Sequence, residues 1–357
     1  MRVLVTGGSG FVGRQLLRQL VQSGHAVRAL VRSDAAECVV AARGAQPVRG
    51  DLSDVGALRA SCDGVDVVAH LAAEVSDHGP LSRFYEVNVE GTRALLEAAR
   101  RAGARRFIHV STEAVLLDGK PLIDVDESRP LPDRAIGNYA FTKGLAERLV
   151  RENNRPGFST ITLRPRLVWG PGDTTLVPRL IDAMQSGSFA WIDQGVALTS
   201  TCHVRNLCAG IAAAFERGTP GGVYFLSDGE PIALRPFVEA LVRPHGVTTP
   251  TRSVPRWLAL SAARMSEWSH ERLRLAGNPR LTRTAVLLMG QQMTINDSLA
   301  RSELAYQPVV SRDAGLAELF DPPAPIDPPE EKPRGPNVAN ARLETAGKKR
   351  PRLQEAR

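Results

Sequence analysis

The 357 residues hold 45 Lys and Arg against 38 Asp and Glu, a formal charge of +7, with 43% hydrophobic and 23% charged residues. This is the composition of an ordinary globule with a large core and room for a satellite lobe, and no window approaches the roughly 18 uninterrupted apolar residues of a membrane span. Cys38, Cys62, Cys202 and Cys208 are scattered without C-x-x-C spacing, which argues against structural zinc and a disulfide framework and suits a reducing, cytoplasmic setting.

Two hydrophobic periodicities alternate in chain order. RVLVT (2–6) reads as a buried strand with no charged leader and apolar h-region before it, so no signal peptide is expected. Residues 13–24 read as a helix closed by Gly24, and 25–32 as a second strand. After a variable link, AQPVRGDL gives a short third strand ending at Asp51, and DVGALRASCDG a helix. Residues 66–73 form a strand, 88–103 a helix ending at Gly103, and 106–112 a fifth strand. Residues 139–153 are a helix and 159–165 a strand. Strands separated by helices of this length imply right-handed crossovers: an α/β fold, a doubly wound parallel sheet with helices on both faces.

From Gly170 the character changes. Gly, Pro and Asp cluster in WGPGD, and a helical stretch follows. Residues 201–228 read as one more helix and strand of the first domain. Residues 230–320 read as mostly helical with short extended links, and VPRWLALSAARM from Val254 as an amphipathic core helix. Beyond Phe320, DPPAPIDPPEEKPRGP is too rich in proline and charge to bury a core. Residues 321–357 are therefore expected to be disordered, with the basic end GKKRPRLQEAR solvated and not a nucleic-acid site.

The stretch TGGSGFVG places Gly7, Gly10 and Gly13 between the first strand and the first helix. In that context each glycine has a task. Gly7 permits a tight turn, Gly10 lets backbone approach a pyrophosphate, and Gly13 lets the helix pack close to the sheet. The helix N-terminus then offers free N–H groups and a partial positive charge to phosphates.

With Thr6 in front, the G-x-x-G-x-x-G spacing resembles that of the short-chain dehydrogenase/reductase superfamily. Tyr139-Ala-Phe-Thr-Lys143 is similar to its Y-x-x-x-K. Asn88-Val-Glu-Gly-Thr92, Gly50-Asp51-Leu52, His70-Leu-Ala-Ala73 and the segment from Leu163 to Asp173 resemble stretches of its extended branch, the epimerase and dehydratase-like enzymes. Residues 279–319 resemble the ending of 3β-hydroxysteroid dehydrogenase-like members, with Ala305 at a usual glycine. The resemblance covers residues 1 to about 320. It implies a Rossmann-type NAD(P)-binding domain over 1–170, rejoined by 201–228. A smaller substrate lobe would span 171–200 and 229–320, with the tail beyond. It further implies cofactor contacts from Gly7, Gly10, Phe11, Val12, Gly13, Leu52, Leu71, Ala72, Ala73, Tyr139, Lys143 and Pro165.

Tyr139 and Lys143 are four apart on one helix face. A phenol near pKa 10 is a poor base at neutral pH, and a neighbouring ammonium would bring it toward working pH. The resemblance implies that Lys143 also holds the ribose hydroxyls. The third hydroxyl should lie at the end of the preceding strand. There HVSTEAV resembles the S-T-D-E-V of the dehydratase branch, which favours Thr112 with Ser111 as neighbour or substitute. Glu113 departs from the neutral residues of many relatives and reads as structural in preference to a second acid or base. His203, in an H-V-x-N element, likewise reads as structural in preference to catalytic, and no metal is expected.

At the end of the second strand, where an acid would mark NAD, stands Val31, followed by Arg32 and Ser33. A guanidinium and a hydroxyl suit a 2′-phosphate, so NADP is favoured over NAD, although Asp34 could swing in. Asp51 is expected at the adenine edge. The main reading is hydride transfer between a nicotinamide and a secondary alcohol or ketone, on a steroid-like or other bulky apolar small molecule. A nucleotide-sugar epimerase or dehydratase is the alternative, and a non-catalytic nucleotide sensor the second. No integral membrane segment is expected as partner surface, and a homodimer is left open.

Overall fold

Strands that are covered by helices on both faces must be apolar on both faces, and the sequence supplies such runs. In the computed structural model, which describes residues 1–76, 79–273, 279 and 281–320, they form one sheet. Its strands are β1 (Arg2–Thr6), β2 (Ala26–Val31), β3 (Gln46–Arg49), β4 (Val67–His70), β5 (Arg106–Val110), β6 (Ser159–Pro165) and β7 (Val223–Leu226). All pairings are parallel, in the order β7-β6-β5-β4-β1-β2-β3. Order reverses beside β1, which opens a crevice at the carboxyl ends of β1 and β4 where such folds take ligands.

The crossover helices are α1 (Phe11–Gln22), α2 (Asp34–Ala41), α3 (Val55–Cys62), α4 (Gly91–Arg101), α5 (Asn138–Glu152) and α6 (Val204–Ala213). Leu16 and Leu17 of α1 and Leu207 and Ile211 of α6 pack on one face of the sheet. Leu58, Leu95 and Leu149 of α3, α4 and α5 pack on the other. Gly24 and Gly103, both at positive φ, close α1 and α4 as the pattern requires.

Helix α2 falls in the link that the sequence leaves variable. Its single deeply buried residue, Val40, gives no periodic signal, but Ser33 caps it by accepting the Ala36 N–H at 3.2 Å. Strands β4 and β5 stop at His70 and Val110, earlier than the apolar pattern, because the chain there leaves the sheet for the crevice.

Residues 171–200 and 229–320 are mostly helical with short extended links, and those links build a small sheet that the sequence did not show. Besides helices Leu176–Gln185, Leu234–Val242, Arg256–Leu273 and Arg283–Gly290, a four-stranded sheet joins Ile232–Ala233, Leu198–Thr199, Met293–Ile295 and Leu122–Val125. The runs are two to four residues long, too short for alternation to show. Helix Arg256–Leu273 also turns its pattern round. Ala259 and Ala263 face Ile192 and Val286, whereas Trp257, Met265 and Trp268 are exposed. Small residues let that helix approach its neighbour, and the large ones are left outside. Among the described residues no helix is long and apolar enough to cross a membrane. The tail, 321–357, lies outside the described residues.

One buried ion pair pins α5 to the sheet. Arg164 of β6 grips Glu147 of α5 through Nη2–Oε1 at 2.5 Å and Nε–Oε2 at 3.0 Å, with both side chains almost fully enclosed. Removing one member of such a pair strands the other charge, at a cost of about 3–5 kcal/mol, whereas replacing both is far milder. Arg164→Met should accordingly lose about 3–5 kcal/mol in urea denaturation, and the double variant Glu147→Met/Arg164→Met should recover most of it. Equal stabilities for wild type and Arg164→Met would contradict this account.

Candidate active site

The glycine loop runs from the end of β1 into α1. Gly7 adopts φ +73°, and a Cβ there would lie 2.8 Å from the Ala72 nitrogen. A Cβ on Gly13 would strike the Gly7 carbonyl oxygen at 2.1 Å. Gly10 is different: its added Cβ would meet only the Gly7 oxygen, at 3.3 Å, so its outer side is open. Gly10 is also the N-cap of α1 and offers no side-chain cap to the helix N–H groups. Uncapped donors, a bare backbone and the positive end of a helix dipole fit a pyrophosphate. Phe11 and Val12 open α1 beside them, and Leu52 with Leu71, Ala72 and Ala73 flank the loop at the ends of β3 and β4.

At the far end of the crevice, Arg32 follows β2 and Asp51 follows β3. The Arg32 guanidinium lies 3.7 Å from the Asp51 carboxylate, and both side chains are substantially exposed. Asp51 is not the cap of α3; that is Asp54, which accepts the Ala57 N–H at 3.0 Å. Asp34 is engaged by Arg49 at 2.7 Å, and the Ser33 hydroxyl is used as the α2 cap.

Helix α5 carries Tyr139 and Lys143 on one face, opposite the segment after β5. Thr112 hydrogen-bonds the Tyr139 phenol. Lys143 is buried, and its Nζ donates to the Val110 carbonyl at 2.7 Å and meets His109 Nε2 at 3.2 Å. Burial lowers the ammonium to about 7, against an opposing pull from Glu147. Tyr139 moves the other way: burial first, then the Glu113 charge, push its phenol above the ordinary value, while the bond to Thr112 opposes them. The expected lowering of the phenol by Lys143 is therefore absent from this geometry. The ammonium spends its hydrogen bonds on Val110 and His109, and its own proton is weakly held.

Ser111 does not join this group. Its hydroxyl donates to Glu147 Oε2 at 2.9 Å, drawn into the Arg164 pair on the opposite side of the strand end. Successive side chains of an extended segment point to opposite faces, so only one of the two hydroxyls can face Tyr139. Pro165, at the end of β6, is buried.

Several residues with no role assigned from sequence hold the site together. His70 Nδ1 is 2.7 Å from the Thr6 hydroxyl, and its Nε2 is 2.9 Å from that of Thr92. Thr92 donates to the Asn88 carbonyl at 2.6 Å, so it accepts from Nε2–H, which leaves Nδ1 as acceptor from Thr6. Asn88 in turn donates to Thr142, the neighbour of Lys143, at 3.0 Å. Glu113 and Arg166 form a second buried ion pair at 2.5 Å directly behind Thr112. A lone Glu in an otherwise neutral strand end, and an Arg after Pro165 in an apolar run, were the available signals. His203 is buried as the α6 cap: its Nδ1 accepts the Arg205 N–H at 3.3 Å, and its ring stands on Trp169.

Buried neutral histidines make the fold sensitive to acid. Burial, then Lys143, lowers His70 to about 3, and burial foremost lowers His203 to about 4. Below about 6.5 the unfolded chain takes up protons that these folded rings refuse, so stability falls as pH falls. Denaturation free energy should drop between pH 6.5 and 5, above the carboxylate range, by about 1.4 kcal/mol per pH unit for each such histidine. A flat profile across that window would mean that the rings are accessible to protons.

The family model for the "3-beta hydroxysteroid dehydrogenase/isomerase family" matches residues 4–256. The chain is 46% identical to the 4-hydroxy-2-methyl-3-oxo-4-farnesyl-3,4-dihydroquinoline-1-oxide ketoreductase of Stigmatella aurantiaca, over 89% of this chain and 96% of that protein. It is 34% identical to the 2-alkyl-3-oxoalkanoate reductase of Stenotrophomonas maltophilia, over 89% of this chain and 98% of that one. Among solved structures, DesIV, a dTDP-glucose 4,6-dehydratase from Streptomyces venezuelae with NAD and TYD bound, superposes with a TM-score of 0.69 at 26% identity, covering 90% of this chain and 96% of its own. The glycine loop at an uncapped helix and the match over most of the sheet lead to one conclusion: the chain belongs to the 3-beta hydroxysteroid dehydrogenase/isomerase family, nicotinamide-dependent oxidoreductases of the extended short-chain type.

Proposed function

We propose that the protein reduces a ketone on a bulky apolar molecule, with a 3-oxo group beside a substituted carbon, using NADPH. The observation that carries this is Tyr139 and Lys143 one turn apart on α5, with Thr112 against the phenol and the uncapped glycine loop at the same end of the sheet. The two relatives whose printed substrates carry a 3-oxo group next to a methyl- or alkyl-bearing carbon support the substrate class.

A nicotinamide bound at the glycine loop would supply the hydride for the carbonyl carbon. Tyr139 would give its O–H proton to the carbonyl oxygen, the phenol keeping the electron pair of the broken O–H bond. Burial and Glu113 keep the phenol in its protonated form, the one with a proton to give. Thr112 orients the proton transfer, and Lys143 would hold the ribose once it turns from Val110. The dehydratase alternative is weaker, because where its branch has S-T-D-E-V this chain has Ala114 in the second acidic place, and Glu113 is already paired to Arg166. Tyr139→Phe should fold, keep cofactor affinity and lose at least about a hundredfold in turnover, the usual scale for one acid or base group. Near-normal NADPH oxidation by that variant, against a panel of 2-alkyl-3-oxo esters and steroid ketones, would sink the assignment.

The NADP preference rests on Arg32, exposed at the end of β2 while Asp34 is engaged by Arg49. A guanidinium can hold a 2′-phosphate by charge-assisted, bidentate bonds and gains little from a bare hydroxyl. Losing such a bond costs about 1.5–3 kcal/mol, roughly ten- to more than a hundredfold in affinity. Fluorescence titration should find NADPH bound more tightly than NADH, and Arg32→Ala should weaken NADPH alone. If that variant weakens both equally, Arg32 does not read the phosphate.

A further inference from the structure

Helix Arg256–Leu273 keeps small residues inside and large ones outside, the reverse of a helix whose apolar face serves only the core. At about 3.6 residues per turn, Trp257, Arg264, Met265, Trp268 and Arg272 fall along one side of it, and Ala259 and Ala263 along the other. Trp257, Met265 and Trp268 are 69%, 70% and 64% exposed, and Leu258 at the edge of this stripe is exposed as well. Of the four tryptophans in the chain, Trp169 and Trp191 are enclosed, and both exposed ones stand here. Single exposed apolar side chains are ordinary, whereas a row of them along one helix marks a surface that is covered in use.

The charges indicate what covers it. Arg264 and Arg272 are exposed among the apolar groups, and neither makes an ion pair among the described residues. Glu267 lies off the stripe and is bound to Arg283 at 2.6 Å. No described side chain of the stripe is acidic. A second copy of the chain would therefore set these cations against each other with no carboxylate to answer them. An anionic lipid surface suits both features: phosphate headgroups meet the guanidinium groups, and indole rings settle at the boundary with the acyl chains. Trp257 and Trp268 stand about 16 Å apart along the axis, so a helix anchored at both lies flat. We propose that helix Arg256–Leu273 docks the protein on an anionic membrane surface, lying on the bilayer without crossing it.

The placement puts lipid close to the candidate site. The helix packs on helix Arg283–Gly290, and Thr284 of that helix abuts Gly137, the N-cap of α5. A Cβ on Gly137 would lie 2.6 Å from the Thr284 hydroxyl. One helix thus separates the exposed stripe from the start of the helix that carries Tyr139. A bulky apolar ketone partitions into a bilayer, and a docked enzyme would meet it there. The docking goes beyond the reductase reading and does not depend on it.

The test mixes the full-length protein with vesicles of phosphatidylcholine alone or of equal parts phosphatidylcholine and phosphatidylglycerol, and reads co-sedimentation and tryptophan emission. Wild type should bind the mixed vesicles at least about tenfold more tightly than phosphatidylcholine, the scale of two cations near an anionic surface. Its emission should shift to the blue as Trp257 and Trp268 leave water. Trp257→Ser/Trp268→Ser should weaken that binding at least about tenfold, and Arg264→Gln/Arg272→Gln should bring it down to the phosphatidylcholine level. These side chains are exposed, so melting temperature and NADPH affinity should stay as in wild type.

The basic end GKKRPRLQEAR is another source of attraction to anionic lipid, and the variants separate the two. Binding that both variants retain in full belongs elsewhere on the chain and overturns the proposal, as does a wild type that binds neither vesicle. Should the tryptophan variant not fold, undiminished binding by the arginine variant overturns it alone. A wild-type dimer that the tryptophan variant splits, without vesicle binding, assigns the stripe to a second copy. A blue shift with polyglutamate and none with vesicles assigns it to an acidic protein. Either result overturns the membrane. An active Tyr139→Phe refutes the reductase reading and leaves these results untouched, since sedimentation reads no turnover.

Discussion

Everything at the crevice depends on one chain of buried hydrogen bonds running across the carboxyl ends of the strands. It starts at Thr6 under the glycine loop, passes through His70 on β4, reaches Thr92 on α4, and continues by Asn88 to Thr142 on α5. Each of these groups is enclosed, so each needs a partner, and every proton in the chain has one place to go. The loop that would cradle phosphates and the helix that carries Tyr139 and Lys143 come from opposite ends of the domain sequence. This network fixes them relative to one another. Asn88 adds a second lock, accepting the Glu74 N–H at 2.7 Å and so holding the segment after β4.

The buried charges follow a different logic. Neither Glu147–Arg164 nor Glu113–Arg166 is cheap to enclose, and a pair of apolar residues could fill either place with no loss of stability. Both flank the same short segment, with Ser111 bonded to one carboxylate and Thr112 to the other. Two adjacent hydroxyls are thereby turned to opposite faces and each given a fixed proton.

How much of this could be read from the chain follows from the range of the interactions. Elements with a long periodic face were legible: β1, α1, α4, α5 and β6 fall within a few residues of their patterns, and positive-φ glycines mark where α1 and α4 stop. The tight packing at Gly7 and Gly13 was legible as well, and so was the placement of Tyr139 and Lys143 on one helix face, because their spacing is local. Helix α2 was not, having one buried residue and a serine cap as its only signal. Nor was the four-stranded sheet, whose strands pair between distant parts of the chain, as in Met293 with Leu122 and Thr199 with Met293. Ser111 and Thr112 were ambiguous for a related reason. Which hydroxyl faces Tyr139 is decided by Arg164 and Arg166, fifty residues on, and a single sequence does not reveal that pairing.

The two titrating groups of the site are displaced in opposite senses by a shared cause. Burial disfavours charge, so it raises the Tyr139 phenol and lowers the Lys143 ammonium to about 7. A site meant to take a proton from an alcohol would want the phenolate stabilised and the ammonium firmly charged beside it. Here the nearest charge acting on the phenol is a carboxylate, and the ammonium is turned toward a carbonyl and a neutral histidine. Each group is thus pushed toward its uncharged form. The displacements come from dielectric and placement, with no positive-φ backbone at Thr112, Tyr139 or Lys143.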